Sequence, residues 1–577
     1  MNSVSPPSHF HRGVPARLAE AVKRGLRARP TVSSPRSPWQ KLMLTCRVQA
    51  DAFSFDPAAY LQAVVWRLRG LRMRSRNRIA ALAGRSPSAY ALWIARDEPF
   101  LFSGHLVQAA VQAGQVIPVI DCQSSSNGLE TTLESLTSAG SSAPVIVIGG
   151  PSIAGVTNLS HPSEIARFIT RSETWLCPVR AGDRIAPGAL DRYSMAASSA
   201  GNSRVIYSDD DLLSSGGERS KPHFKPVWNP ELFENHDFLT GSAIVRVARE
   251  SFPGLRADRW DEQLFAEALR CSDDPIHLPM VLHHRRTRPE PRVPAKPCDL
   301  VPNPAPSVTA IIPTRNHLSL LRKCVEGLRA TAYPDINLII VDNGSDDPAT
   351  LDYLKQATAD GVTVLQIPGP FNFSAINNAA ALRAESEFLC FLNNDVEMTD
   401  PDWLSLLVRQ AMRPEIGAVG ARLLYGDLTV QHAGVFIGIG GAAGHAHRLL
   451  RHDEPGYFNR ARLPQRVSAV TGACFVVARE KFLSVGGFDE REFPVAFNDV
   501  DLCLKLNANG WQTFYEPRAT LIHHESKSRG SDSAKPNRAR FAAELAALKR
   551  KWHTDVQHDP YHHPHLSRFC EQFLISV

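Results

Sequence analysis

The apolar run Phe388-Leu389-Cys390-Phe391-Leu392 stops at Asn393-Asn394-Asp395. A short apolar segment ending in carboxamides and a carboxylate reads as a buried strand that delivers polar side chains to the carboxyl edge of a sheet. That edge is where open α/β sheets hold ligands. A carboxylate there suits a divalent cation, and a cation there suits a diphosphate. A strand followed by a plain Asn/Asp turn fits the same letters, so the neighbours decide.

Three other sets of residues join this one. Asp342 closes the apolar strand Asn337 to Val341, with Asn343-Gly344-Ser345 behind it. Its carboxylate can accept hydrogen bonds from a nucleobase or ribose, and the glycine lets backbone approach closely; a simple Asp-Asn-Gly turn is the alternative. Asn498-Asp499-Val500-Asp501 opens a helix continuing through Leu502 to Leu506. Both carboxylates fall in the first turn, where the helix dipole favours the ionised form, and either would also serve as a helix cap. His523-His524-Glu525-Ser526 ends the strand Thr520 to Ile522. A histidine pair at a strand end beside carboxylates can ligate a metal or be structural.

The elements that must position these residues follow a βαβ rhythm. A strand, Ser307 to Ile312, runs into Pro313-Thr314-Arg315-Asn316, then an amphipathic helix, Leu318 to Ala330, and the strand ending at Asp342. Strand, helix and strand in so short a span predict a parallel sheet. A strand Val362 to Ile367 and a helix Ser374 to Ala384 lead to the strand at 388–392.

The Pro-rich stretch from Pro289 to Pro306 marks a domain boundary, and 86–295 repeats the order of elements in weaker form. There Tyr90 to Ile94, Val116 to Ile120 and Trp175 to Pro178 read as strands, and His277 to His284 parallels Tyr515 to His524. This is read as a divergent internal duplication. Residues 1–85 are a basic region, partly disordered or helical, with a helical pattern at Pro57 to Leu71. Residues 536–577 form a C-terminal helix and tail.

At 577 residues, 43% hydrophobic and 21% charged, the chain is expected to be a multidomain globular protein. Its net charge of +6 is small but concentrated in the first 85 residues, including Arg17, Arg24, Arg27, Arg29 and Arg36 and a cluster from Arg67 to Arg78. Such a run could touch anionic lipid or remain a solvated arm; no nucleic-acid partner is expected. No apolar run reaches the length of a membrane span, no secretory leader is evident, and the ten cysteines stand singly, with Cys390, Cys474 and Cys503 inside apolar runs. The expectation is a cytoplasmic protein, with contact at the inner membrane face left open.

The ordered set Pro313-Thr314-Arg315-Asn316, Asp342-Asn343-Gly344-Ser345-Asp346, Asn393-Asn394-Asp395, Thr471-Gly472-Ala473-Cys474, Gly486-Gly487-Phe488-Asp489-Glu490, Asn498-Asp499-Val500-Asp501 and His523-His524-Glu525-Ser526 resembles the family 2, GT-A fold glycosyltransferases. The similarity is greatest to bacterial rhamnosyltransferase-like enzymes of surface polysaccharide and lipopolysaccharide synthesis, and it covers about 305–530. The segment Asp559-Pro560-Tyr561-His562-His563-Pro564-His565-Leu566 resembles a signature of tandem-domain members, so its histidines are not read as a metal site.

The resemblance implies two tandem GT-A domains, mostly parallel in sheet, the first (86–295) degenerate and the second (305–535) catalytic. It implies an inverting transfer from a nucleoside-diphosphate sugar, such as dTDP-rhamnose or a UDP-sugar, to a glycan or lipid-linked acceptor. Asp499 would be the general base. Pro313, Thr314, Arg315, Asn316, Asp342, Gly344, Ser345, Asn377, Asn393 and Asn394 would hold the nucleotide-sugar. Asp395, with His523 or His524, would bind Mg²⁺ or Mn²⁺. Two positions depart from the family pattern: Asn393 stands where the metal motif has its first carboxylate, and Asn498 where Glu is common.

In the first block, Arg180-Ala181-Gly182-Asp183 stands where the acidic metal motif would be, and an arginine opposes a cation. Asp209-Asp210-Asp211 reads as a solvated turn or as a metal site. A dinucleotide-binding oxidoreductase is rejected, because Gly438-Ile439-Gly440-Gly441 lacks the spacing and the following helix such a loop needs. A noncatalytic glycan- or nucleotide-binding protein is the remaining alternative. Residues 425–465, placed where they would cover the acceptor, carry no decodable pattern.

Overall fold

The computed structural model describes residues 37–102, 114–140, 143–153, 155–169, 174–298, 300, 303–524 and 537–577. The arginines read at positions 17, 24, 27, 29 and 36, and Glu525-Ser526, lie outside the described residues.

Two α/β units follow a helical layer. In the second unit the strands lie in the order Thr363–Gln366, Ile336–Asp342, Val308–Thr314, Phe388–Leu392, Cys474–Ala478, Ile416–Leu424, Gln512–His523, Val396–Met398. The first four pair in parallel, and from Cys474–Ala478 onward antiparallel ladders alternate with one parallel pairing, Ile416–Leu424 against Gln512–His523. The sheet is therefore mixed rather than mostly parallel. The correction has a simple cause: Val396–Met398 and Cys474–Ala478 are reached with no α-helix after the strand before them and run antiparallel to their neighbours, whereas Ile416–Leu424 and Gln512–His523, each preceded by a helix, pair in parallel. In the first unit the order is Thr157–Leu159, Ile146–Ile148, Gln115–Asp121, Thr174–Arg180, Ala243–Val247, Val205–Leu213, Ile276–Arg285, Arg184–Ile185, the same arrangement strand for strand.

Local sequence accounts for these elements. The helix Leu318–Arg329 buries Leu321, Cys324, Val325 and Leu328, an i, i+3, i+4, i+7 stripe pressed onto the parallel strands. Each such aliphatic side chain contributes about 1.5–3 kcal/mol when fully buried. Cys390, Cys474 and Cys503 are buried free thiols, as their apolar settings predicted.

One early element differs from the reading. Tyr90 to Ile94 belongs to the helix Ala89–Arg96, not to a strand. A five-residue apolar run cannot separate the two by periodicity, and packing decides: Trp93 sits against Tyr90, Phe224 and His565.

The helices Pro38–Phe55, Pro57–Leu68 and Arg72–Ala83 begin the described chain, with Ser37 and Asp56 capping the first two. Glu231 of the first unit pairs with Arg413 and Arg466 of the second. Residues 559–577 touch every part: Pro560 O accepts from Val227 N, Asp559 from Ile437 N, and Ser576 O from Arg96.

Candidate active site

The strand ends of the second unit meet at one cleft of about 880 Å³. Parallel register sets Thr314 beside Asp342, and Asn394 Nδ2 donates to Thr314 Oγ1 at 3.0 Å. Three polar strand ends are thus locked side by side. Asn316, in the left-handed region at φ 56°, donates its backbone N–H to Ser345 Oγ, while its Oδ1 accepts from the N–H groups of Asp346 and Asp347. Asp342 Oδ1 accepts from Ser345 N and Oγ, closing a turn that requires Gly344 at φ 78°. The chain's own hydrogen bonds thus hold this edge together.

Of the residues singled out in the sequence, Pro313, Thr314, Arg315, Asn316, Asn393, Asn394, Asp395, Asp499 and His523 line the cleft together. Asp342, Gly344 and Ser345 form the turn next to that wall. Two residues fall elsewhere. Asn377 is fully buried, its Nδ2 donating to Phe373 O one turn back, so it does not reach the cleft wall. His524 is turned away and bonds Glu397, which also pairs with Lys323. Successive residues of a strand face opposite sides, so one sheet edge cannot present both His523 and His524 to one ion.

The antiparallel pairing of Val396 with His523 brings that histidine against Asp395, with Nε2 at 3.0 Å from Oδ1. The other ring nitrogen, Nδ1, lies 2.7 Å from Gln431 Oε1. An amide oxygen only accepts, so Nδ1 carries a proton, and Nε2 is the nitrogen that faces Asp395. Burial pushes the Asp395 carboxyl up, but the bond to His523 and its charge hold it below the usual carboxylate range. Two ligands about 2.1 Å from one octahedral ion stand about 3.0 Å apart, which is the spacing seen. Asp395 and His523 suit a divalent cation, while Asn393 turns its amide Nδ2 toward His523 Nε2 at 3.4 Å. Sequence reasoning missed Gln431; nothing local marks it.

Asp499 sits in the first turn of the helix Asn498–Ala508 without capping it. Its Oδ2 accepts from Gly472 N at 2.8 Å and its Oδ1 from Val500 N at 2.8 Å. Each oxygen keeps a second lone pair for a proton. Asp501 is buried and serves as an anchor instead, holding Trp552 Nε1 and Lys551 Nζ of the helix Arg538–Trp552. Asn498 Nδ2 is tied to Val495 O. From the stretch 425–465, Tyr425, Gln431, His445 and Arg448 contribute to the wall.

The first unit treats its polar strand ends differently. Asp209, Asp210 and Asp211 lie within the strand Val205–Leu213 and are buried, so the solvated turn is corrected. Asp210 meets Lys225, Arg288 and Arg285; despite burial, these cations hold its carboxyl well below the usual range. Asp211 takes Tyr90, His284 and Arg219. Asp209 meets His277 Nε2 at 2.9 Å and His563 Nε2 at 2.8 Å. His563 Nδ1 accepts the N–H of His565, which places the ring's proton on Nε2, facing the carboxylate. A proton there opposes metal ligation by His563, although Asp209, His277 and His563 stand close enough to one another to hold one ion.

Residues 309–483 match the family model Glycosyl transferase family 2. The chain therefore carries a glycosyltransferase family 2 domain, whose match takes in the cleft residues from Pro313 to Ala473 and stops before Asp499 and His523. It is 38% identical over 469 residues to uncharacterized protein y4gI of Sinorhizobium fredii, covering 73% of this chain and 51% of the relative. It is 36% identical over 432 residues to O-antigen biosynthesis protein RfbC of Myxococcus xanthus, covering 67% of this chain and 33% of that protein. A 68-residue stretch is 44% identical to the N-acetylglucosaminyl-diphospho-decaprenol L-rhamnosyltransferase of Mycobacterium tuberculosis, covering 12% of this chain and 22% of the enzyme. The chain thus spans about half, or a third, of the two long relatives.

Proposed function

We propose that the second unit is an inverting glycosyltransferase that moves a sugar from a nucleoside-diphosphate sugar to a hydroxyl of a glycan or lipid-linked acceptor in bacterial surface polysaccharide synthesis. The observation that carries this is the convergence of Asp395, His523 and Asp499 on one cleft. The relatives named for O-antigen synthesis and rhamnosyl transfer favour a dTDP-rhamnose donor, with a UDP-sugar next.

An acceptor hydroxyl is a poor nucleophile, so a carboxylate must take its proton as attack proceeds. Asp499 is that base: its two backbone donors fix the carboxylate against the cleft while leaving it room to accept. The acceptor oxygen bonds to the anomeric carbon, the bond from that carbon to the diphosphate oxygen breaks, and the nucleoside diphosphate leaves. One displacement inverts the centre. Asp395 and His523 would hold Mg²⁺ or Mn²⁺, which when bound offsets the charge of the diphosphate. Thr314, Arg315, Asn316 and Asn394 line the donor side, and the Asp342 turn would take the base.

Asp499→Asn is expected to lower turnover at least about a hundredfold with sugar-nucleotide affinity nearly unchanged, read by nucleoside-diphosphate release and calorimetry. Near-normal turnover would sink the assignment. A thermal-shift screen of dTDP- and UDP-sugars, with and without Mn²⁺, identifies the donor, because only a bound ligand stabilises the native state. Binding without transfer or hydrolysis by the wild type would leave the noncatalytic reading.

A further inference from the structure

The helices that open the described chain carry apolar side chains on the wrong side. Pro38–Phe55 buries Val48 and Ala52, yet Trp39, Leu42, Met43 and Phe53 stand exposed at i, i+3, i+4 and i+14, a second stripe facing away from the core. Pro57–Leu68 repeats this: Ala59 and Ala63 are buried while Leu61, Val65 and Leu68 stand exposed at i, i+4 and i+7. Trp39 is 73% exposed and Leu68 83%. A globular helix ordinarily keeps one apolar stripe and turns it inward. Contiguous exposed apolar surface marks a binding face.

The charge around it is one-sided. Residues 37–85 hold nine Lys and Arg against Asp51 and Asp56, a surplus larger than the whole chain's +6. Both acids are engaged, Asp51 with Ser86 and Asp56 as a helix cap. Arg67, Arg69, Arg72, Arg74 and Arg78 are exposed at and just beyond the Leu61–Leu68 stripe, while Arg76 lies over Phe569.

We propose that this helical layer is a docking surface for an anionic phospholipid bilayer. The apolar stripes would enter the interfacial region, and the guanidinium groups would meet lipid phosphates, the pattern of helices that lie in a membrane plane. Among the described residues no helix is long and apolar enough to cross a membrane, so the layer lies on the bilayer. Charge selects this occupant over a second copy, since two such faces would press arginine against arginine. The surface is also joined to the cleft: Val577 packs into the helical layer's core, and Glu571 O of the same segment accepts from His447 N, between the cleft residues His445 and Arg448.

The test is co-sedimentation of the full chain with vesicles. Binding is expected to vesicles of phosphatidylcholine mixed with phosphatidylglycerol and not to phosphatidylcholine alone, and to weaken at least tenfold as salt rises from about 0.05 to about 0.5 M. The Arg67/Arg69/Arg72/Arg74/Arg78→Gln variant and the Leu61/Val65/Leu68→Ser variant should each lose at least tenfold in partitioning with unchanged melting temperature. Should the serine variant melt early, Trp39→Ser alone reads the apolar term. The proposal fails if the wild type stays in the supernatant, or if the folded variants partition as it does. It also fails if light scattering shows a dimer that the serine variant dissociates.

Discussion

Two sheets in this chain run their principal strands in one order, and they spend their polar strand ends in opposite ways. In the second unit Val396 pairs with His523, and that histidine, Asp395 and Asp499 line a cleft. In the first, Ile185 pairs with His283 at the matching place, but the ring is buried against the Tyr193 hydroxyl, and burial drives its pKa well below the ordinary value. Next to it, three aspartates are closed off by lysine, arginine and histidine. One scaffold can therefore hold its carboxylates for a ligand or neutralise them from within. The difference lies in whether counter-charges come with the protein or with the ligand.

Removing a counter-charge is the harshest way to break the comparison. Lys225→Met leaves Asp210 buried and under-compensated, and should cost the first unit about 3–5 kcal/mol in urea unfolding. An unchanged midpoint would mean that those carboxylates are not stabilised as described. Next, Asp395→Ala should reduce transfer by about a hundredfold or more, whereas Asp183→Ala in the first unit should leave the turnover of folded protein intact. Equal losses would give the first unit a share in the chemistry.

A third contrast is read by pH. Burial raises the Asp183 carboxyl to about 6, above its unfolded value of about 3.9. Between those values the folded state binds more protons, so this group's contribution to stability falls as pH rises through that window and stays low above it. Asp183→Asn should therefore stabilise the protein on the order of 1–3 kcal/mol at pH 8 and negligibly below the unfolded pKa, checked by melting curves at both. The mildest probe is Gln431→Leu, which removes the acceptor that sets the His523 tautomer. Cation affinity should drop about tenfold to a hundredfold in titration calorimetry with the fold intact.

Much of the second unit was legible because its information is local. Apolar runs end in polar letters at Thr314 and Asp342, and a helical stripe from Leu321 to Leu328 lies between them, so strand, crossover and edge are each written within a dozen residues. Asp499 was legible for the same reason, standing at the start of a helix. What could not be read depends on distance. Gln431 finds His523 across 92 residues, and Asp209 finds His563 across several hundred. No spacing rule separated the buried aspartates from a solvated turn, because the groups that pair with them sit on other strands and loops. Direction was the other unreadable quantity: Asn377 and His524 lie on the expected elements, but one points into the core and the other toward Glu397.

The segment 559–577 has a consequence in time. It is translated after both sheets, yet it supplies His563 to the Asp209 cluster, Pro560 O to Val227, and the Asp559 and Arg568 contacts that seat the loop at Ile437 to Gly440. A nascent chain holding both units, already paired through Glu231 with Arg413 and Arg466, still lacks the piece that packs across them and holds His447, between the cleft residues His445 and Arg448. A chain cut before Asp559 should thus be released unlatched, exposing apolar surface to proteases instead of carrying a half-working enzyme.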